Sequence, residues 1–171
     1  MTYIIRKTQR ADILSLLDVE RSAGQLFKSV PQYAWIADMP VMTFEAHVSF
    51  IDKGLSWLAE EIDSKIILGF IVAESFEEAL YIVEVSVRQS HQKQGIGSAL
   101  LRACFTEAER LEKPSITLTT FKAISWNAPY YERLGFEIIG TADMPKYLQL
   151  KLENEAAAGF ERDKRCAMRK I

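Results

Sequence analysis

Gly95 and Gly97 stand one residue apart, between the polar stretch SHQKQ (residues 90–94) and an apolar-periodic run that begins at Ile96. Bare backbone at that spot has two readings. Either the chain simply turns there, or an anion approaches the unpaired N–H groups and partial positive charge of a helix start. Arg88, His91 and Lys93 add donors or positive charge around the same mouth. Two familiar phosphate cradles are excluded. The run GxxxxGK followed by Ser or Thr does not occur, and a GxGxxG fingerprint fails at Leu100.

Carboxylates are the next groups that could do chemistry. In YIVEVSVR, residues 81–88, strand alternation puts Tyr81, Val83, Val85 and Val87 on one face and Ile82, Glu84 and Ser86 on the other. A carboxylate in the middle of an inner strand is costly unless it faces a cleft, where burial raises its pKa toward that of a working base. The alternative is a solvent-facing Glu84 on a half-covered sheet. Glu20 falls on or beside the apolar stripe of the first predicted helix, where a charge is unexpected. It is either a ligand for a cationic group or an ion-paired helix residue.

The elements that must position these groups follow from periodicity. Residues 3–7 predict a strand, and Ile13, Leu14, Leu17 and Glu20 recur at helical spacing. Residues 27–42 hold Pro31 and Pro40 and read as an irregular loop, whose Phe27, Tyr33 and Trp35 suit the lining of a pocket. Thr43 caps a short helix that ends at Gly54. LSWLAEE, IILGFIVAESF and YIVEVSVR are strands joined by turns short enough for antiparallel hairpins. The helix after the glycine pair carries Leu100, Leu101, Cys104, Phe105, Ala108 and Leu111 on one stripe and stops at Pro114. SITLTTF is a strand, residues 126–135 a short helix, and a strand starts at Phe136. Residues 145–160 read as a loosely amphipathic helix and RCAMRK as the last strand.

A chain of 171 residues that is 49% hydrophobic supports one domain with its own core, expected over residues 1–171. The net charge of −2 excludes a bulk nucleic-acid footprint. Cys104 and Cys166 form no CxxC pair, His47 reads as a surface or packing residue, and His and Cys never cluster, so no metal site is expected. The start of the chain lacks a signal-peptide core and no run is long enough to span a bilayer, which makes a cytoplasmic protein without a membrane partner the expectation.

Gln92-Lys93-Gln94-Gly95-Ile96-Gly97 resembles the Q/R-x-x-G-x-G/A signature of the GNAT superfamily of N-acetyltransferases. Asn127-Ala128-Pro129-Tyr130-Tyr131-Glu132-Arg133-Leu134-Gly135-Phe136 is similar to that family's motif around an Asn that contacts CoA and a general-acid Tyr. Two motifs in this order, with a strand between them, are specific where a lone GxG is not. The resemblance implies an α/β fold: a GNAT-like mixed, mostly antiparallel sheet of six or seven strands, flanked by helices and splayed between the fourth and fifth strands. It covers residues 1–141 in element order and leaves the last thirty poorly explained.

The resemblance further implies acetyl-CoA as donor, with the loop amides and side chains from Gln92 to Ser98 (Gln92, Lys93, Gln94, Gly95, Ile96, Gly97 and Ser98) at its pyrophosphate. Val85, Ser86 and Val87 would pair with the pantetheine arm, Asn127 would contact CoA, and Tyr131 would protonate the departing thiolate, with Tyr130 in a packing role. Many relatives carry an acid on the strand before the Asn. Here that stretch reads Thr119-Thr120-Phe121-Lys122, which moves a base role to Glu84 or to water. Glu20, Phe27, Tyr33 and Trp35 are then candidate ligands for a small amine acceptor, a peptide remaining the alternative. A non-catalytic acyl-CoA-binding module is the competing class. A monomer or homodimer fits equally, since residues 166–170 could pair across an interface.

Overall fold

The computed structural model describes residues 1–171. Its helices and strands are β1 (Tyr3–Lys7), α1 (Ile13–Gly24), α2 (Phe44–Asp52), β2 (Ser56–Glu61), β3 (Ile67–Ser75), β4 (Ala79–Val87), α3 (Ile96–Arg110), β5 (Ser115–Phe121), α4 (Ala128–Arg133), β6 (Glu137–Ile138), α5 (Lys146–Ala157) and β7 (Arg165–Lys170). The seven strands follow the order β1-β2-β3-β4-β5-β7-β6, a mixed sheet as expected. Two compact units divide the chain: Met1–Glu74 with Ile82–Glu109, and Ser75–Tyr81 with Arg110–Ile171.

The first unit is built on antiparallel pairing of β1 with β2, from Tyr3↔Glu61 to Lys7↔Trp57, and of β2 with β3, with a bulge between Ala59 and Glu60. Leu16 and Val19 of α1 pack with Leu58, Ile67, Phe70 and Val72, and Met42, Phe50 and Val83 close the cluster. Thr43 caps α2 as expected, its hydroxyl accepting the Ala46 N–H at 3.1 Å. Arg6 donates to Asp12 at 2.8 Å and to Glu60 at 2.6 Å, tying β1 to β2 and to the start of α1. That guanidinium holds the Asp12 carboxyl below its usual pKa against the opposing effect of burial, the largest single influence on it.

His47 is a packing residue and not a surface one. It is wholly buried on α2, edge-on to Phe70 with ring centroids 5.3 Å apart. The stretch read as an irregular loop is instead wound into 3₁₀ turns at Gln25–Ser29 and Pro31–Asp38. Pro31 supplies the preset φ of a helical first position, which the aromatic composition had obscured.

In the second unit β4 and β5 pair in parallel through Ala79↔Ser115, Leu80↔Ile116 and Tyr81↔Thr117. β7 lies antiparallel along the whole of β5, and the two-residue β6 pairs with β7 through Glu137↔Arg169 and Ile138↔Met168. The last thirty residues therefore complete the sheet: β7 is buried at Cys166, Ala167 and Met168, and α5 is anchored by Leu148 and Leu152. Both cysteines are free and buried, and burial pushes the Cys104 thiol up to about 12, too high for a nucleophile.

Candidate functional site

The glycine loop is braced from several sides. After β4, the Arg88 N–H donates to Leu68 O at 2.8 Å and its Nε to Ile67 O at 2.6 Å, so one donor expected at the mouth is spent on β3. The Gln89 N–H donates to Ser22 Oγ of α1 at 3.0 Å. Gln92 turns its Nε2 back onto Val87 O at 3.0 Å, which explains a glutamine there: it closes the loop onto the end of its own strand. Lys93 and Gly95 both have positive φ, 60° and 83°. Such a conformation favours glycine, and a Cβ on Gly95 would meet nothing within 4 Å, so the space beside it is open.

The helical ladder of α3 begins with Ala99 N–H to Gly95 O at 3.0 Å. The N–H groups of Ile96 and Gly97 precede that bond and have no carbonyl partner within the helix. Ile96, Leu100, Leu101, Cys104 and Ala108 are buried, fixing the helix to its unit and its N-terminus beside the loop. The arrangement suits a bound diphosphate: amide donors, the positive end of a fifteen-residue helix, and no side chain at Gly95.

On β4, Glu84 is half-buried, and Ser86 donates its hydroxyl to Glu84 Oε1 at 2.7 Å, which puts the two on one face as alternation predicted. Glu20 proves not to be ion-paired. Its Oε2 accepts the Met42 N–H at 3.0 Å, and desolvation pushes its pKa up against that hydrogen bond and the nearby Arg21. The recess in this segment, about 410 Å³, is lined by Arg21, Gln25 and residues 37–41. Phe27, Tyr33 and Trp35 are not among its walls; Trp35 is 41% exposed, with its indole N–H on Gln32 O at 3.2 Å.

In the second unit, Asn127 precedes α4, and its Oδ1 accepts from Thr120 Oγ1 at 2.6 Å and from the Phe121 N–H at 3.3 Å. The carboxamide is thus fixed to β5 by its oxygen, and its NH2 group is the part suited to donate to a ligand. Tyr131 is the more buried of the two tyrosines at 9% exposure, its ring edge-on to Tyr130 and Phe136 with centroids 5.3 and 5.7 Å away. Tyr130 also carries the Arg133 guanidinium, 5.8 Å from its ring.

One functional candidate escaped sequence reasoning. β5 has no acid, yet α5 brings one to it: Thr119 donates its hydroxyl to Glu155 Oε1, and Arg165 of β7 donates Nε to Glu155 Oε2 at 3.1 Å. The signal was the four-residue spacing of Tyr147, Lys151 and Glu155, a polar stripe on a helix whose apolar one is weak. No three His, Cys, Asp or Glu side chains are gathered to hold a metal ion, and no helix is long and apolar enough to cross a membrane.

Comparison with known proteins agrees with the fold. The chain is similar to PaiA N-acetyltransferase from Thermoplasma acidophilum, solved in complex with coenzyme A, with a TM-score of 0.74 and 16% identity over 99% of both chains. It is similar to N-acetylglutamate synthase from Neisseria gonorrhoeae, complexed with coenzyme A and N-acetyl-glutamate, with a TM-score of 0.73 and 12% identity over 99% of this chain and 35% of that one. The ribosomal-protein-S18-alanine N-acetyltransferase from Escherichia coli gives a TM-score of 0.67 and 16% identity over 99% and 93%. A family model described as the acetyltransferase (GNAT) domain matches residues 52–138, just over half of the sequence. With the glycine loop, β4 and the Asn127–Tyr131 segment all inside that match, the chain belongs to the GNAT family, acetyltransferases that use acetyl-CoA as donor.

Proposed function

We propose that the chain transfers the acetyl group of acetyl-CoA to the primary amine of a small molecule by direct attack, without a covalent enzyme intermediate. The observation that carries this reading is the glycine loop, with its open space at Gly95 and the unpaired amides at the head of α3. Those amides, with Gln92, Lys93, Gln94 and Ser98, hold the pyrophosphate; the backbone of Val85, Ser86 and Val87 meets the pantetheine; Asn127 donates its NH2 group to CoA.

The chemistry needs a neutral amine and a protonated leaving thiolate. The amine nitrogen attacks the thioester carbon, the C–S bond breaks, and the thiolate takes the phenolic proton of Tyr131. The proton lost by the amine passes to Glu84, directly or through water. Backbone N–H groups near Val85 stabilise the charge that develops on the carbonyl oxygen. Holding both substrates together supplies much of the rate.

A small acceptor is supported by the modest recess beside α1 and by Glu20, a desolvated carboxylate suited to an ammonium group. Among the similar structures, one is named for making an amino-acid product and another for acting on a ribosomal protein, so fold alone selects neither class.

The test is a thermal melt with and without acetyl-CoA, run beside Gly97→Glu. Ligand at a hundred times its dissociation constant stabilises by about 2.7 kcal/mol, which for a chain of this size is a shift of several degrees. The expected result is a shift in the wild type that vanishes in the variant, followed by thiol release when amines are added. No shift at millimolar acetyl-CoA would sink the reading.

A further inference from the structure

From Ile82 to Val87, β4 is apolar except at Glu84 and Ser86. Those two side chains are bonded to each other, Ser86 Oγ donating to Glu84 Oε1 at 2.7 Å. Residues two apart on a strand are separated by about 6.5 Å. A bond between their side chains therefore lays the glutamate along the strand, toward residue 86, instead of letting it stand off.

The two partners are not equally free. Ser86 is 5% exposed, and its backbone is clamped to β3. A Cβ on Gly69 would lie 2.8 Å from Ser86 O, and just beyond, the Arg88 N–H donates to Leu68 O at 2.8 Å. Glu84 is half-buried, its carboxylate at the end of a longer side chain with more rotamers to lose. The hydroxyl is thus the fixed member of the pair and the carboxylate the one it holds. A donated hydrogen bond also favours the ionised carboxylate, the form that can take a proton. The neighbouring strand offers no substitute, since β3 has no titratable side chain from Ile67 to Ala73.

We infer that Ser86 is the positioning residue for the base of the transfer: its hydroxyl holds the Glu84 carboxylate against the stretch of β4, Val85 to Val87, that meets the pantetheine. This rests on the transferase reading above, in which only the Ser86 backbone has a part.

Thiol release from acetyl-CoA is measured against pH with a panel of aliphatic, aromatic and α-amino-acid primary amines, in wild type, Ser86→Ala, Ser86→Cys and Ser86→Thr. Cysteine keeps the volume with a far weaker donor, and threonine restores the hydroxyl. Melting curves confirm that the variants fold. In the alanine and cysteine variants the expected result is a plateau kcat lower by about tenfold and an acid limb of kcat moved up by about one pH unit. Threonine should stay within about twofold of wild type, and acetyl-CoA affinity should be unchanged throughout. In a Glu84→Gln background, Ser86→Ala should change kcat by less than about twofold, because the serine then has no carboxylate to hold. Transfer that Ser86→Ala leaves intact, or an equal loss in both backgrounds, overturns the assignment and leaves the transferase reading standing. A wild type that binds acetyl-CoA yet releases no thiol with any amine removes both.

Discussion

Tyr131 sets its ring among aromatic neighbours and is 9% exposed. In the proposed transfer its hydroxyl is the proton donor to the departing thiolate. Tyr131→Phe removes only the hydroxyl and preserves the packing, so kcat should fall by roughly 10²-fold or more with acetyl-CoA affinity intact. Steady-state kinetics with calorimetric titration of acetyl-CoA checks this. An unchanged rate would instead mark Glu84 and solvent as sufficient for the proton traffic. Asn127 shows why its residue type is needed: its oxygen serves β5 while its nitrogen remains a donor, a division that aspartate could not make.

At the scale of elements, α3 is seated by a glycine on another strand. A Cβ on Gly69 would lie 2.8 Å from Ser86 O and 3.2 Å from Leu100 Cδ1 and Val87 Cγ2. The carbonyl belongs to β4 and cannot swing aside as a side-chain tip would. Gly69→Ala should therefore destabilise the fold by about 1–3 kcal/mol and weaken acetyl-CoA binding through displacement of β4, as urea melts and ligand titration would show. A variant as stable as the wild type would mean that β4 shifts freely. This dependence had no local sign in IILGFIVAESF, whereas β4 was legible from its run of β-branched and aromatic residues and α3 from its apolar period, with Gly95 and Gly97 at its start and Pro114 after its end. The 3₁₀ turns at Gln25–Ser29 and Pro31–Asp38 were hidden because their period differs from either regular one. The glycine loop and the Asn127 segment are contiguous and could be read; Glu155 and Arg165 meet only through the pairing of β7 with β5 and the seating of α5, which no local pattern reveals.

Across the whole molecule, the buried titratable groups respond to pH in opposite senses. His47 is wholly buried with neither ring nitrogen hydrogen-bonded, and burial lowers its pKa below 6.5. The unfolded chain therefore takes up this proton first, and stability falls as pH drops below about 6.5. Glu20, raised by burial, works the other way: its contribution declines as pH rises above the ordinary carboxylate value. Asp12, lowered, stabilises above that value and loses its effect in stronger acid. The melting temperature should thus drop between pH 7 and 5.5, and His47→Leu should flatten that drop; an equal drop in both proteins would assign it to other groups. The placement of α5 has a consequence of another kind. β6 and β7 are antiparallel neighbours, for which a tight turn suffices, yet residues 139–164 intervene and carry Glu155 to its strand. That insert buries Ile139, Met144, Leu148 and Leu152, and the Ile139 N–H donates to Ala167 O of β7, so a connection between two neighbouring strands doubles as part of the core that seats them.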